Sequence, residues 1–242
     1  MKNYLLTGAA KGLGLEITKS ILSFEDTAVY GLNRKNTKEY KLLMEKYPER
    51  VFFMECDLGD TDELRKKVFK EYIGKGVAIH GFVNNAAMAY DDIVTNLQLE
   101  PLENMFRINV FAPMLLTKYV IRNMLLHKIS GSIVHISSIS VHTGYKGLSM
   151  YASTKGALEA FSKNTAREWG SLQIRSNALV AGFMETDMSA TLDDSQKGRI
   201  YNRTSLKVAT EKSSVADTVA FLLSDKSKSI TGQNIHVDSG TI

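Results

Sequence analysis

Tyr4-Leu5-Leu6 is a short apolar run that breaks directly into Thr7-Gly8-Ala9-Ala10-Lys11-Gly12-Leu13-Gly14, and a helical pattern through Ile17, Ile21 and Leu22 comes next. Strand, glycine turn and helix in that order constrain the fold more than any other feature of the chain. Glycines permit a tight turn and let the backbone approach a pyrophosphate, which then sits at the positive end of the helix. The spacing is G-x-x-x-G-x-G rather than G-x-G-x-x-G. A plain glycine-rich turn fits this segment equally well, so the weight falls on the residues beyond it.

Those residues continue the alternation of strand and helix. A second strand is expected over Thr27 to Leu32, a helix over Thr37 to Lys46, and a third strand over Val51 to Glu55. A helix over Thr61 to Tyr72 leads to a fourth strand, Val77 to Val83, and a long helix from about Glu100 to Leu126 to a fifth, Ser132 to Ile136. Next come a helix over Ser149 to Trp169, a sixth strand over Arg175 to Val180, a polar stretch from Met188 to Lys207, a helix over Ser213 to Leu223 and a strand over Asn234 to Val237. Strands alternating with helices through short connections predict an α/β fold, a Rossmann-like doubly wound parallel sheet of about seven strands. No internal repeat, linker or low-complexity tract interrupts it, so residues 1–242 are expected to form a single domain.

Composition removes several function classes. The 242 residues are 44% hydrophobic and 23% charged with a net charge of +4, ordinary for a globular enzyme-sized chain. The basic residues are spread among nearly as many acids, so no nucleic-acid partner is expected. The single cysteine, Cys56, lies in an apolar run and reads as packing, and the five histidines show no metal-ligand spacing. The start, MKNYLLTGAA, leaves no room for the apolar region of a signal peptide, and no apolar run reaches a membrane span of about 20 residues. A cytoplasmic location with no membrane partner is the expectation.

The chemistry-bearing residues fall at the carboxyl ends of the expected strands, where ligands bind in open α/β sheets. After the second strand come Asn33, Arg34 and Lys35, where an acid would grip a ribose diol and a base would accept a 2′-phosphate; with Lys11 in the glycine turn, NADP(H) is the expected cofactor. Ser138 comes just after the fifth strand, and Tyr151 and Lys155 share one face of the next helix. A lysine beside a phenol lowers a pKa that is normally about 10, which makes the tyrosine a proton donor near neutral pH. A serine hydroxyl at the same point would hold a carbonyl oxygen. Taken alone, a Y-x-x-x-K pair also fits a solvated helix. Asn109 sits mid-helix, where asparagine is unfavourable, and so marks a role of its own.

The motifs TGAAKGLG, NNAA, the helical Asn109, Ser138, YASTK and ITGQNIHVDSG, in this order, resemble the short-chain dehydrogenase/reductase family from end to end. The chain is most similar to the bacterial 3-oxoacyl-[acyl-carrier-protein] reductases, through its length and the AGFMETDM segment. The resemblance implies that Gly8, Gly12 and Gly14, with Lys11 and Leu13 between them, bind the cofactor phosphates, with Asp57 and Leu58 at the adenine and Asn84 near its ribose. Ala86, Met184 and Thr186 join Asn33 and Arg34 among the cofactor contacts, Thr186 at the nicotinamide carboxamide. Tyr151 becomes the general acid, Ser138 orients the substrate carbonyl, and Lys155 tunes the tyrosine and holds the nicotinamide ribose. Asn109 maintains a proton relay. The implied substrate is a small carbonyl compound, with an acyl carrier protein thioester as one form, and the implied assembly is a homotetramer. Three departures bear on the carrier protein: Ala87 replaces glycine, Ala181 replaces proline, and Ile129 and Leu172 stand where docking bases are expected.

Overall fold

The computed structural model describes residues 1–186 and 193–241. The chain runs β1 (Lys2–Thr7), α1 (Gly12–Leu22), β2 (Thr27–Asn33), α2 (Lys38–Lys46) and β3 (Val51–Glu55). A π-helix (Arg65–Tyr72) and β4 (Ile79–Asn84) come next, then α3 (Leu99–Phe106), a second π-helix (Arg107–Phe111) and α4 (Ala112–His127). The second half comprises β5 (Gly131–Ser138), the short α5 (Ser140–Thr143), α6 (Ser149–Trp169), β6 (Ile174–Ala181), α7 (Asp194–Tyr201), α8 (Lys212–Leu223) and β7 (Asn234–Val237). The seven strands are parallel in the order β3-β2-β1-β4-β5-β6-β7. Strand order reverses direction between β1 and β4, which opens a crevice at their carboxyl ends.

Two apolar layers hold the helices to the sheet. Ile17 and Ile21 of α1, Tyr40 of α2, and Val215, Val219 and Leu222 of α8 pack against Leu6, Val29, Val83 and Val134 on one face. Val68 of the first π-helix and Leu116, Val120 and Met124 of α4 pack against Leu5, Phe82 and Ile133 on the other. Burying one such side chain contributes about 1.5–3 kcal/mol. The strands are apolar on both sides because helices cover both faces, which accounts for their continuous hydrophobic runs. Thr37 caps α2 by accepting from the Tyr40 amide.

The structure departs from the expected long helix over 100–126. The chain there is α3 and α4 joined through a π segment, and Asn109 is inside it. The polar stretch beyond β6 also holds α7, opened by a capping box between Asp193 and Gln196. Met188, where that polar stretch begins, lies outside the described residues. Among the described residues no helix is long and apolar enough to cross a membrane.

Candidate active site

The turn after β1 is shaped by close backbone approach. Gly8 and Gly12 adopt φ of +69° and +54°, the left-handed region that glycine enters without strain. A Cβ on Gly14 would lie 1.8 Å from the Gly8 carbonyl oxygen, so the turn and the first turn of α1 touch without side chains between them. Leu13 is buried, Lys11 is the exposed extended residue that opens α1, and no acid occupies the first turn. The loop after β4 braces this turn: Thr7 Oγ1 accepts from the amides of Asn85 and Ala86, and Asn85 Nδ2 donates to the Thr7 and Gly8 carbonyls. Asn85 is not among the residues the sequence singles out, although it adjoins Asn84.

The other residues expected at a cofactor fall into two groups. Asn33 ends β2 and is buried, with its Oδ1 accepting from the Ala10 amide at 2.8 Å. Half of its side chain therefore braces the glycine turn. Its Nδ2, and Oδ1 of Asn84 at the end of β4, are buried with no hydrogen-bond partner among the described residues. Arg34 and Asp57 are exposed at the ends of β2 and β3, and Asp57 Oδ1 accepts from the Gly59 amide. Leu58 is different: its side chain belongs to the core with Leu32, Cys56 and Leu64, which leaves its backbone alone for any contact. Ala86 lies against Gly8, while Met184 and Thr186 are half-buried on the segment leaving β6.

Across the crevice, β5 delivers Ser137 and Ser138 and the first turns of α6 deliver Tyr151 and Lys155. The Ser137 hydroxyl donates to Glu159, which leaves Ser138 as the serine at the strand's mouth. Ser138 Oγ accepts from both the amide and the hydroxyl of Ser140, at 3.2 and 3.0 Å. With its acceptor sites filled in this way, the Ser138 hydroxyl has a proton to donate. Ser140 was not foreseen; its spacing two residues beyond Ser138 was the available signal.

Lys155 is 2% exposed, its Nζ donates to the Ile136 carbonyl at 2.8 Å, and it lies 5.6 Å from the Tyr151 ring centroid. Burial pushes its pKa down to about 8. From the sequence this lysine was expected to bring the Tyr151 phenol down as well. The structure shows the reverse: burial raises the phenol pKa and the carboxylate of Asp91 raises it further. The lysine is itself desolvated and turned to a backbone carbonyl, so its charge does not offset the burial of the ring. Tyr151 therefore keeps its proton throughout the neutral range, and its hydroxyl has no hydrogen-bond partner among the described residues.

Asn109 is 1% exposed within the π segment. Its Oδ1 accepts from the Met88 amide at 2.9 Å, and its Nδ2 donates to the Met88 carbonyl and to Thr154 Oγ1, at 2.8 and 3.1 Å. Thr154 in turn donates to the Tyr151 carbonyl. The asparagine thus ties the loop after β4 to the helix of Tyr151 and Lys155. That accounts for its unfavourable mid-helix position in a way a solvated helix face cannot.

These features have close counterparts. A family model described as enoyl-(acyl carrier protein) reductase matches residues 8–241. A 3-oxoacyl-[acyl-carrier-protein] reductase of Staphylococcus epidermidis is 30% identical over 241 residues, 99% of this chain and 98% of that protein. An L-xylulose reductase of Caenorhabditis elegans is 32% identical over 241 residues, 99% of this chain and 95% of that protein. In fold, the chain superimposes with a TM-score of 0.91 on a gluconate 5-dehydrogenase of Burkholderia cenocepacia solved with NADP and tartrate, at 23% identity, covering 99% of this chain and 94% of the other. Sequence similarity that spans the glycine turn, the Ser-Tyr-Lys end and the closing strand together makes this protein an oxidoreductase of the short-chain dehydrogenase/reductase family.

Proposed function

We propose that the protein is an NADPH-dependent carbonyl reductase acting on 3-oxoacyl thioesters. The observation that carries the reading is a Ser138 hydroxyl with its acceptor sites filled, at the mouth of β5, together with a Tyr151 phenol in the first turn of α6 that holds its proton at neutral pH. A ketone needs both groups as it becomes an alcohol: one hydrogen bond to its oxygen and one proton delivered there. Lys155, charged below about pH 8, favours the phenolate left after the transfer.

The residues present fit a dinucleotide. The Gly8–Gly14 backbone contact makes a cradle that a Cβ would fill, and the buried orphan atoms of Asn33 and Asn84 stand ready as donor and acceptor at the ends of β2 and β4. Gly8, Gly12 and Gly14 with Leu13 would take the pyrophosphate, Lys11 and Arg34 the 2′-phosphate, and Asp57, Leu58 and Ala86 the adenosine side. Lys155, Met184 and Thr186 would take the nicotinamide side. When bound, NADPH supplies the hydride.

Half-buried Met88 and Met184 suit an acyl chain. A carrier protein has a weaker hold. Leu172 is half exposed where a docking base is expected. Arg175, a candidate substitute, instead has its guanidinium engaged by the Leu222, Ser224 and Ile230 carbonyls. Exposed apolar side chains along α3, the second π-helix and α4 (Leu99, Phe111, Leu126) support a homotetramer, for which light scattering should give four chains. A second reading, reduction of a sugar ketone, is favoured by the similarity to an L-xylulose reductase.

NADPH oxidation with acetoacetyl groups on carrier protein, acetoacetyl groups on a small thiol, and L-xylulose tests these readings together. Turnover of both thioesters at comparable kcat/KM is expected. Turnover of the sugar alone transfers the function to the second reading, and NADPH binding without turnover of any ketone removes the reductase.

A further inference from the structure

Glu159 is an acid in the middle of α6, turned towards the sheet and 6% exposed. A carboxylate at that depth persists only where donors surround it. Three do, and each comes from a different element. Ser137 Oγ donates from the mouth of β5, His142 Nε2 contacts it at 3.1 Å from α5, and Asn234 Nδ2 donates at 2.6 Å from β7. Tyr151 and Lys155 lie eight and four residues earlier on the same helix. One side chain therefore joins the helix that carries the acid to the strand that carries Ser138, to the edge strand, and to the short helix between them.

The residues that Glu159 holds bracket Ser138. Ser137 precedes it in β5, and His142 belongs to the four-residue α5 that begins at Ser140. A helix of that length does not fix its own orientation. Ser140 supplies both hydrogen bonds that Ser138 Oγ accepts, so the tilt of α5 decides where the Ser138 proton points. His142 is the side chain through which α5 is fastened to Glu159.

We infer that Glu159 is a positioning residue for the reaction: its carboxylate fixes Ser137 and His142, and through α5 it sets the direction in which Ser138 offers its hydroxyl. The inference rests on the carbonyl-reductase reading and adds a residue that touches neither substrate nor cofactor. A purely structural Glu159 would lower Tm when replaced while leaving kcat of the folded fraction intact.

The experiment compares Glu159→Ala, Glu159→Gln, His142→Ala and the Glu159→Ala/His142→Ala double variant, reading kcat and KM for the ketone that wild type reduces, Kd for NADPH by fluorescence, and Tm. Misplacing a group by about 1 Å can cost about 10²-fold in rate, so kcat should fall by about that factor in Glu159→Ala, with Kd for NADPH held. His142→Ala should fall about tenfold, the double variant should be no worse than Glu159→Ala alone, and Glu159→Gln should recover most of the loss. His142→Ala changes a side chain 27% exposed on a surface helix, which keeps the test open if Glu159→Ala does not fold. Wild-type kcat in folded His142→Ala, with only Tm lowered, overturns the inference. Absence of ketone reduction in wild type defeats the functional reading instead. In that case hydrogen exchange of the amides from Ser138 to Thr143 still decides the positioning claim: faster exchange in His142→Ala supports it, and unchanged exchange overturns it.

Discussion

The two halves of the sheet, divided between β1 and β4, reach their crevice by different means. On the β1–β2–β3 side the surface is backbone: Gly8 bonds its amide to Leu32, Asn33 holds Ala10, and Gly14 rests on Gly8. On the β4–β5–β6–β7 side it is side chain, and the buried charged groups among the described residues, Lys155, Glu159 and Asp238, all lie there. His135 lies there too, fully buried with neither ring nitrogen bonded and flanked by Phe82 and Phe161. A half made of backbone amides is fixed in charge and vulnerable only where a Cβ intrudes. A half made of buried ionisable groups costs folding energy and responds to pH, and that is the half suited to moving a proton.

Breaking each half separately gives the clearest tests. Tyr151→Phe should lower turnover by about 10²–10⁴ while Tm and NADPH affinity stay near wild type; near-full turnover would place proton transfer elsewhere. Gly14→Ala drives a methyl into the Gly8 carbonyl, and an intrusion costing about 3 kcal/mol should weaken NADPH binding about 10²-fold. Isothermal titration reads it, and an unchanged Kd would remove the backbone cradle. Arg34→Ala removes a charge-assisted bond, so the NADPH to NADH ratio of kcat/KM should fall about tenfold to a hundredfold. An unchanged ratio would take Arg34 out of the 2′-phosphate site.

Two smaller effects carry opposite signs with pH. Lys155 is charged only below about pH 8, so reduction should slow as pH rises past that point, by about tenfold per unit. Stability should rise over pH 8–9 in the same protein, because the unfolded lysine still binds a proton that the folded one has released. A rate that stays flat to pH 10 would sever Lys155 from the chemistry. His135, held down to about 3 by burial, works at the acid end. Between pH 6.5 and 3 the unfolded imidazole binds a proton that the folded one refuses, so stability is lost as pH falls. His135→Leu should gain about 1–2 kcal/mol at neutral pH in urea titrations and flatten that acid loss. A loss of stability in the variant would show that the ring nitrogens are satisfied after all.

Legibility in the sequence tracked the range of the interaction. β7 spans the expected Asn234 to Val237, α2 begins at its threonine cap, and the glycine turn and the Tyr151–Lys155 spacing are local patterns that a window of a few residues contains. The pairings that escaped notice are joined over distance. Asn109 meets Met88 across 21 positions, Ser137 meets Glu159 across 22, and Glu159 meets Asn234 across 75. The direction of the Tyr151 shift was misread for a related reason: spacing gives the neighbour but not the burial of both partners. Glu159 was within reach, since an acid four residues beyond Lys155 on a sheet-facing stripe needs donors. Leu58 and Asn33 could not be separated from their neighbours without knowing which side chains the core would claim.

The π segment at Arg107–Phe111 bears on chain length as much as on chemistry. Hydrogen bonds from residue i to i+5 accommodate an extra residue that an α-helix would not hold. Removing a single residue from that window would let α3 and α4 close into one regular helix, and everything on one side of the join would turn by about 100° relative to the other. Asn109 would then leave Met88, or Leu116, Val120 and Met124 would leave the sheet; no single rotation keeps both. Trimming one codon there is therefore a harsher change than replacing any one of the side chains in the segment, and length in that window is part of what the fold specifies.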